Sequence, residues 1–252
     1  MMKPNLPLRA LALALLAAGI LAPAIASAQM PGGPGSSMMS SAFLKLFGTH
    51  TNFSCKAEIH VFDAIQKETD VVPLNFTLSA SKLRMDIDFT QVKANDFPPA
   101  MMPALKQLGM DQSIIIMRPD QKMVITIYPH AHAYCEKPMS KDEVAASEKT
   151  FSITKEKAGR ETFEGHPCDK VTVTLTDDKG VKHVATVWNA SDLKEFPVQI
   201  RMTEGDSTLL MKFRDVKLGT PDPARFEPPS GLAKYKTDEA LMEAATKGML
   251  PK

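Results

Sequence analysis

Few side chains in this sequence are of a type and spacing suited to chemistry. His130 and His132 stand two apart in "PHAHAY". On a strand they share a face, and His-x-His is a metal-ligand spacing. No third ligand follows from any nearby acidic or cysteine pattern. The pair is therefore expected on a solvent face, with Ala131 and Ala133 turned inward. A second cluster, His166-Pro167-Cys168, lies in "GRETFEGHPCDKVTVTL" between two strand-like runs. Gly165 and Pro167 mark it as a turn or bulge at a strand entry rather than a reactive centre.

Other catalytic patterns are missing. No G-x-S-x-G occurs, and no Ser–His–acid order stands out among the six His. Carboxylate pairs such as Asp86/Asp88 and Asp177/Asp178 read as solvated faces or turns. There is no glycine-rich phosphate loop within the body of the sequence. The reading is therefore no catalytic residue, no metal and no cofactor. Apolar binding is better supported. The chain has 16 Met, and Met101, Met102, Met110, Met117 and Met123 fall in one region. Methionine is flexible and frequent on adaptable apolar surfaces. Core filling and cavity lining account for such a cluster equally well.

The cysteines depend on the compartment. Lys3 and Arg9 precede an apolar run from Leu11 to Leu21, and Ala26-Ser27-Ala28 supplies small residues. This predicts a secretory signal peptide over residues 1–28, cut after Ala28. The run is shorter than the ~20 residues that span a bilayer. Export suits a periplasm or a wholly secreted protein. Removing Lys3 and Arg9 takes the formal charge from +1 to −1, which offers nothing to nucleic acid or an anionic surface. No later run is long enough for a transmembrane segment.

In an oxidising compartment Cys55, Cys135 and Cys168 permit three pairings. Strand phase selects among them. Cys55 shares the apolar face of Phe53 and Ile59, as a buried thiol would. Cys168 is out of phase with Val171, Val173 and Leu175. Cys135 ends a short strand. A Cys135–Cys168 disulfide is expected, with Cys55 free. It would close a loop of about 30 residues and add ~3 kcal/mol.

The elements that must carry these residues are mostly strands. Residues 29–48 comprise a Gly/Pro/Ser-rich linker and a short helical or extended entry, "AFLKLFGTH". Period-two alternation then recurs about ten times. One example sets Phe53, Cys55, Ala57, Ile59 and Val61 on one face. Another sets Leu83, Met85, Ile87 and Phe89 on one face, with Arg84 opposite. Tight turns are expected at Ser79–Lys82, Arg118–Gln121, Asp177–Gly180 and Glu204–Asp206. Short turns imply an antiparallel meander. Three segments read as helices. They are residues 98–110, residues 140–150 with a Ser140/Glu143 capping box, and residues 237–248. Only the first is apolar enough to cover a sheet face.

Four phrases in order resemble a family: "RPDQKMVITIYPHAHAY", "GRETFEGHPCDKVTV", "TVWNASDLKEFPVQI" and "DVKLGTPDPARFEPPSGLAKY". They are similar to an uncharacterised family of exported bacterial proteins related in fold to the LolA/LolB-like lipoprotein carriers. The resemblance implies an α+β fold, mainly β. A curved antiparallel sheet forms a half-open barrel over residues 49–236, with two or three helices on its concave face. Residues 237–252 form a C-terminal helix and tail. It also implies a non-enzymatic periplasmic binding or carrier protein for a lipid, a lipoprotein acyl chain or another hydrophobic ligand. The alternative is an envelope sensor or protein-interaction module with an envelope protein partner. Met101, Met102, Leu105, Leu108, Met85 and Ile87 are the expected cavity residues. In the carriers an Arg inside the barrel holds the helical lid shut. Arg84 is the candidate here, although its phase sets it on the other face.

Overall fold

A computed structural model describes residues 41–95, 101–204 and 207–248. The expected signal peptide, most of the linker, the start of the first apolar helix and the last residues of the tail lie outside them. Alternation dominates the chain because β-branched and aromatic residues recur at period two between polar ones. Thirteen strands form one sheet: β1 (Asn52–Phe62), β2 (Glu68–Ser79), β3 (Lys82–Asp88), β4 (Lys93–Ala94), β5 (Gln112–Arg118), β6 (Met123–Tyr128), β7 (Ala133–Pro138), β8 (Phe151–Phe163), β9 (His166–Asp177), β10 (Lys182–Ala190), β11 (Phe196–Glu204), β12 (Ser207–Leu218) and β13 (Ala233–Tyr235). Their order is β13-β7-β6-β5-β3-β2-β1-β12-β11-β10-β9-β8, with β4 added to β2. Every pairing is antiparallel except β13 on β7. The order begins and ends on free edges, so the curved sheet is a half-open barrel.

Two apolar faces result. The larger core takes Phe53, Cys55, Ala57, Ile59 and Val61 from β1, Leu74 and Phe76 from β2, and Met85 and Ile87 from β3. Among the described residues, four helices cover this face: α1 (Ser41–Lys45), α2 (Met101–Gln107), α3 (Lys141–Glu148) and α4 (Asp238–Thr246). Each supplies side chains to that core. The Ser140/Glu143 capping box forms at α3 as its spacing predicts. The second core lies on the opposite face. Ile116, Ile125 and Ile127 pack there against Phe226, from the proline-rich strap between β12 and β13.

The entry segment takes the helical one of its two expected forms. It forms α1 and its following turn, and its aromatic rings lie deep in the larger core. Phe43 and Phe47 are each 1% exposed. The Phe47 ring centroid lies 4.9 Å from Phe53, 5.8 Å from Phe76, 5.9 Å from Phe196 and 5.4 Å from Phe213.

Candidate functional site: the helix-covered face and its lid

The lid begins with α2, whose seven residues bury one side chain fully, Leu105. Met101, Met102 and Leu108 are half-buried against the same core. Beneath lie Met85 and Ile87, 1% and 2% exposed. The six expected cavity residues thus all belong to the large core, three as its floor or anchor and three at its margin. A helix this short draws its stability from packing rather than propensity.

Gly109 ends the helix and fixes its position. Its φ of +68° is a left-handed conformation, which glycine adopts without penalty. A Cβ there would sit 2.7 Å from the backbone of His130 and Ala131. The end of the lid therefore lies directly on the turn Pro129–Ala131. Beside the margin, a groove of about 600 Å³ runs past Thr69, Asp70, Phe89, Val92 and Met102.

The histidine pair does not sit on a strand. Pro129–Ala131 is a 3-10 turn, and His132 caps it with a left-handed backbone. His130 Nδ1 lies 2.9 Å from Asp111 Oδ1. Ala131 and Ala133 do turn inward, at 3% and 0% exposure. Among the described residues, no group of three His, Cys, Asp or Glu side chains is placed to hold a metal ion.

The expected Cys135–Cys168 disulfide is corrected: all three cysteines are free and buried. Eight strands lie between β7 and β9. The path along the sheet is thus roughly 40 Å, whereas a disulfide needs Cα atoms within about 7 Å. Cys135 lies under α4, its Sγ donating to Asp238 Oδ1 at 2.7 Å. Burial first, then Asp238, pushes this thiol up to about 12. Cys168 pairs with Ala190 of β10 within the large core, and its Sγ donates to the His166 carbonyl at 3.3 Å. The turn before it is a two-residue loop, Glu164-Gly165, with φ of 48° and 87°. That is the signature of a type I′ hairpin.

Arg84 does not enter the barrel. It lies on the strap face, with Nε 2.6 Å from Asp86 Oδ1 and Nη1 donating to the Arg225 carbonyl at 2.7 Å. Arg118 does the same work beside it, a role that its place at the head of an expected turn does not signal. Its guanidinium donates to Asp120, to Glu227 and to the Phe226 carbonyl. The two arginines therefore hold the strap on the outer face. Phe43 and Phe47 read as apolar entry residues, but their place deep in the core was not anticipated. Their i, i+4 spacing is helical, but it sits in a stretch of only nine residues.

The comparisons agree with the motif reading. Residues 72–196 match the family model described as "Domain of unknown function (DUF4412)". Two of the four motifs lie wholly inside this span and a third overlaps its end. The model that matches this span, like the family the motifs resemble, is described as uncharacterised. No curated protein matches the chain. It is similar to a solved LolA superfamily protein from Nitrosomonas europaea, at 11% identity and a TM-score of 0.39, covering 77% of this chain and 97% of that one. It is also similar to lipoprotein LppX from Mycobacterium tuberculosis, at 12% identity and a TM-score of 0.38, covering 78% and 96%.

Proposed function

We propose that this is a non-enzymatic, exported binding or carrier protein for a lipid, acyl chain or other hydrophobic ligand. The ligand would occupy the helix-covered face of the sheet. The observation that carries the reading is the nature of the cover. A continuous apolar sheet face is closed by short helices, and the lid α2 holds on through one fully buried side chain, Leu105. Its margin is methionine and leucine, half-buried and able to repack around a guest. A ligand would lift α2 about its Gly109 end and replace the α1 rings.

A second reading is favoured by one observation. Phe43 and Phe47 already fill the face. A filled face suits a sensor or interaction module whose envelope partner docks on the outside.

One experiment separates them. The exported protein is purified natively and extracted with organic solvent for mass spectrometry. A fluorescent fatty-acid analogue is titrated into wild type and Phe47→Ala. The carrier reading expects co-purified lipid or probe binding by wild type, and tighter binding by the variant whose plug is removed. No lipid and no binding by either protein would overturn it.

A further inference from the structure

The longest strand of the sheet is also its last. β8 has 13 residues, and every one from Ser152 to Thr162 is exposed. Among the described residues, only β9 pairs with it. A long free edge is a template for another strand, and the strand always at hand is β8 of a second copy. Two copies would join antiparallel about a two-fold axis normal to the sheet.

The sequence of β8 looks suited to this. "ITKEKAGRETF" is self-complementary about Ala158. Folding it on itself sets Ile153 against Phe163, Thr154 against Thr162, Lys155 against Glu161 and Glu156 against Arg160. A regular strand with that sequence would pair with its own copy.

The strand is not regular. Lys157 pairs with Val171 and Gly159 with Lys170, leaving Ala158 as an extra residue in a β-bulge. The extra residue exchanges the faces of everything after it. Lys155, Lys157 and Arg160 now share the face of Val171 and Asp169. Glu156 and Glu161 share the face of Lys170 and Trp188. The contacts agree: Arg160 Nε lies 2.6 Å from Asp169 Oδ1, and Trp188 Nε1 donates to Glu161. All three cations are on one face and both acids on the other.

We propose that this sorting closes the edge to a second copy of the chain. A two-fold axis normal to the sheet must oppose residues of the same face. Two registers centred at the bulge do so. One opposes Lys157 to Arg160 and Glu156 to Glu161, twice each by symmetry. The other opposes Lys155 to Arg160, again twice. Like charges directly opposite destabilise a strand pair. The bulge thus turns a self-complementary sequence into a self-repelling edge.

The test is a charge swap that keeps the bulge, Glu156→Lys with Lys157→Glu. Neither residue has an ion pair among the described residues, so the fold is undisturbed, as circular dichroism would check. In the first register the swap makes all four charge pairs attractive. Light scattering at high micromolar concentration is expected to give one chain's mass for wild type and a twofold rise for the swap. Adding Arg160→Ala to the swap should return it to one chain. A wild type already dimeric, a swap that stays single, or a dimer unmoved by Arg160→Ala would each overturn the proposal.

Discussion

Arg118 carries the strap. Its side chain is 5% exposed, while Asp120 and Glu227 keep 38% and 55%. A fully buried pair broken on one side costs about 3–5 kcal/mol. Because both carboxylates reach water, Arg118→Ala should cost less, about 2 kcal/mol in urea unfolding. The strap should also loosen, so trypsin should cut after Arg225 sooner than in wild type, read by mass spectrometry. An unchanged cleavage rate would show that Phe226 alone holds the strap. The alternation around Arg84 already told that it faces away from Leu83 and Met85. What it faces could not be read, because the strap that meets it is 141 residues away. The cysteines failed for the same reason. Their phases were legible, and the separation of β7 from β9 was not.

Among the elements, α2 is defined by its end more than by its length. Gly109→Ala places a Cβ at 2.7 Å from backbone atoms that cannot swing away. It also forces a left-handed alanine, which alone costs on the order of 1–3 kcal/mol. The expected result is a loss of at least that size in denaturant unfolding. If α2 is a lid, the same change should speed binding of the fatty-acid probe. A loss of stability with unchanged probe kinetics would assign Gly109 to packing only. The stop at Gly109 and the methionine periodicity of α2 were legible, as was the capping box of α3. β4 and β13 were not, since two or three residues cannot display a period. α1 was legible only as one of two readings, helical or extended, because one helical turn gives only one i, i+4 pair, Phe43 and Phe47.

At the scale of the whole molecule, carboxylates held by cations pin the turns and strands of the sheet. Arg118 holds Asp120 below the usual carboxylate range at the β5–β6 turn. Lys149, just after α3, does so for Asp177 at the end of β9, where Lys179 and Val181 N–H groups also donate to it. Arg214 on β12 holds Glu164 of the β8–β9 turn, and Lys56 on β1 holds Asp215. The pairing of β1 with β12, first long strand with last, was invisible to alternation, because period two says which face a strand buries and nothing about its neighbour. Each of these carboxyls is depressed in the folded state. Each therefore stabilises the fold above the ordinary carboxylate value of about 4 and loses that effect as pH falls through its folded value. Unfolding midpoints in urea should stay level from neutral pH to about 5 and decline below about 4. Asp177→Asn removes one contributor. It should lower the midpoint at neutral pH, where Lys149 loses its partner, and flatten the acid decline. A variant whose midpoint falls as steeply as wild type would show that Asp177 is not one of the groups that couple α3 and the end of β9 to the fold.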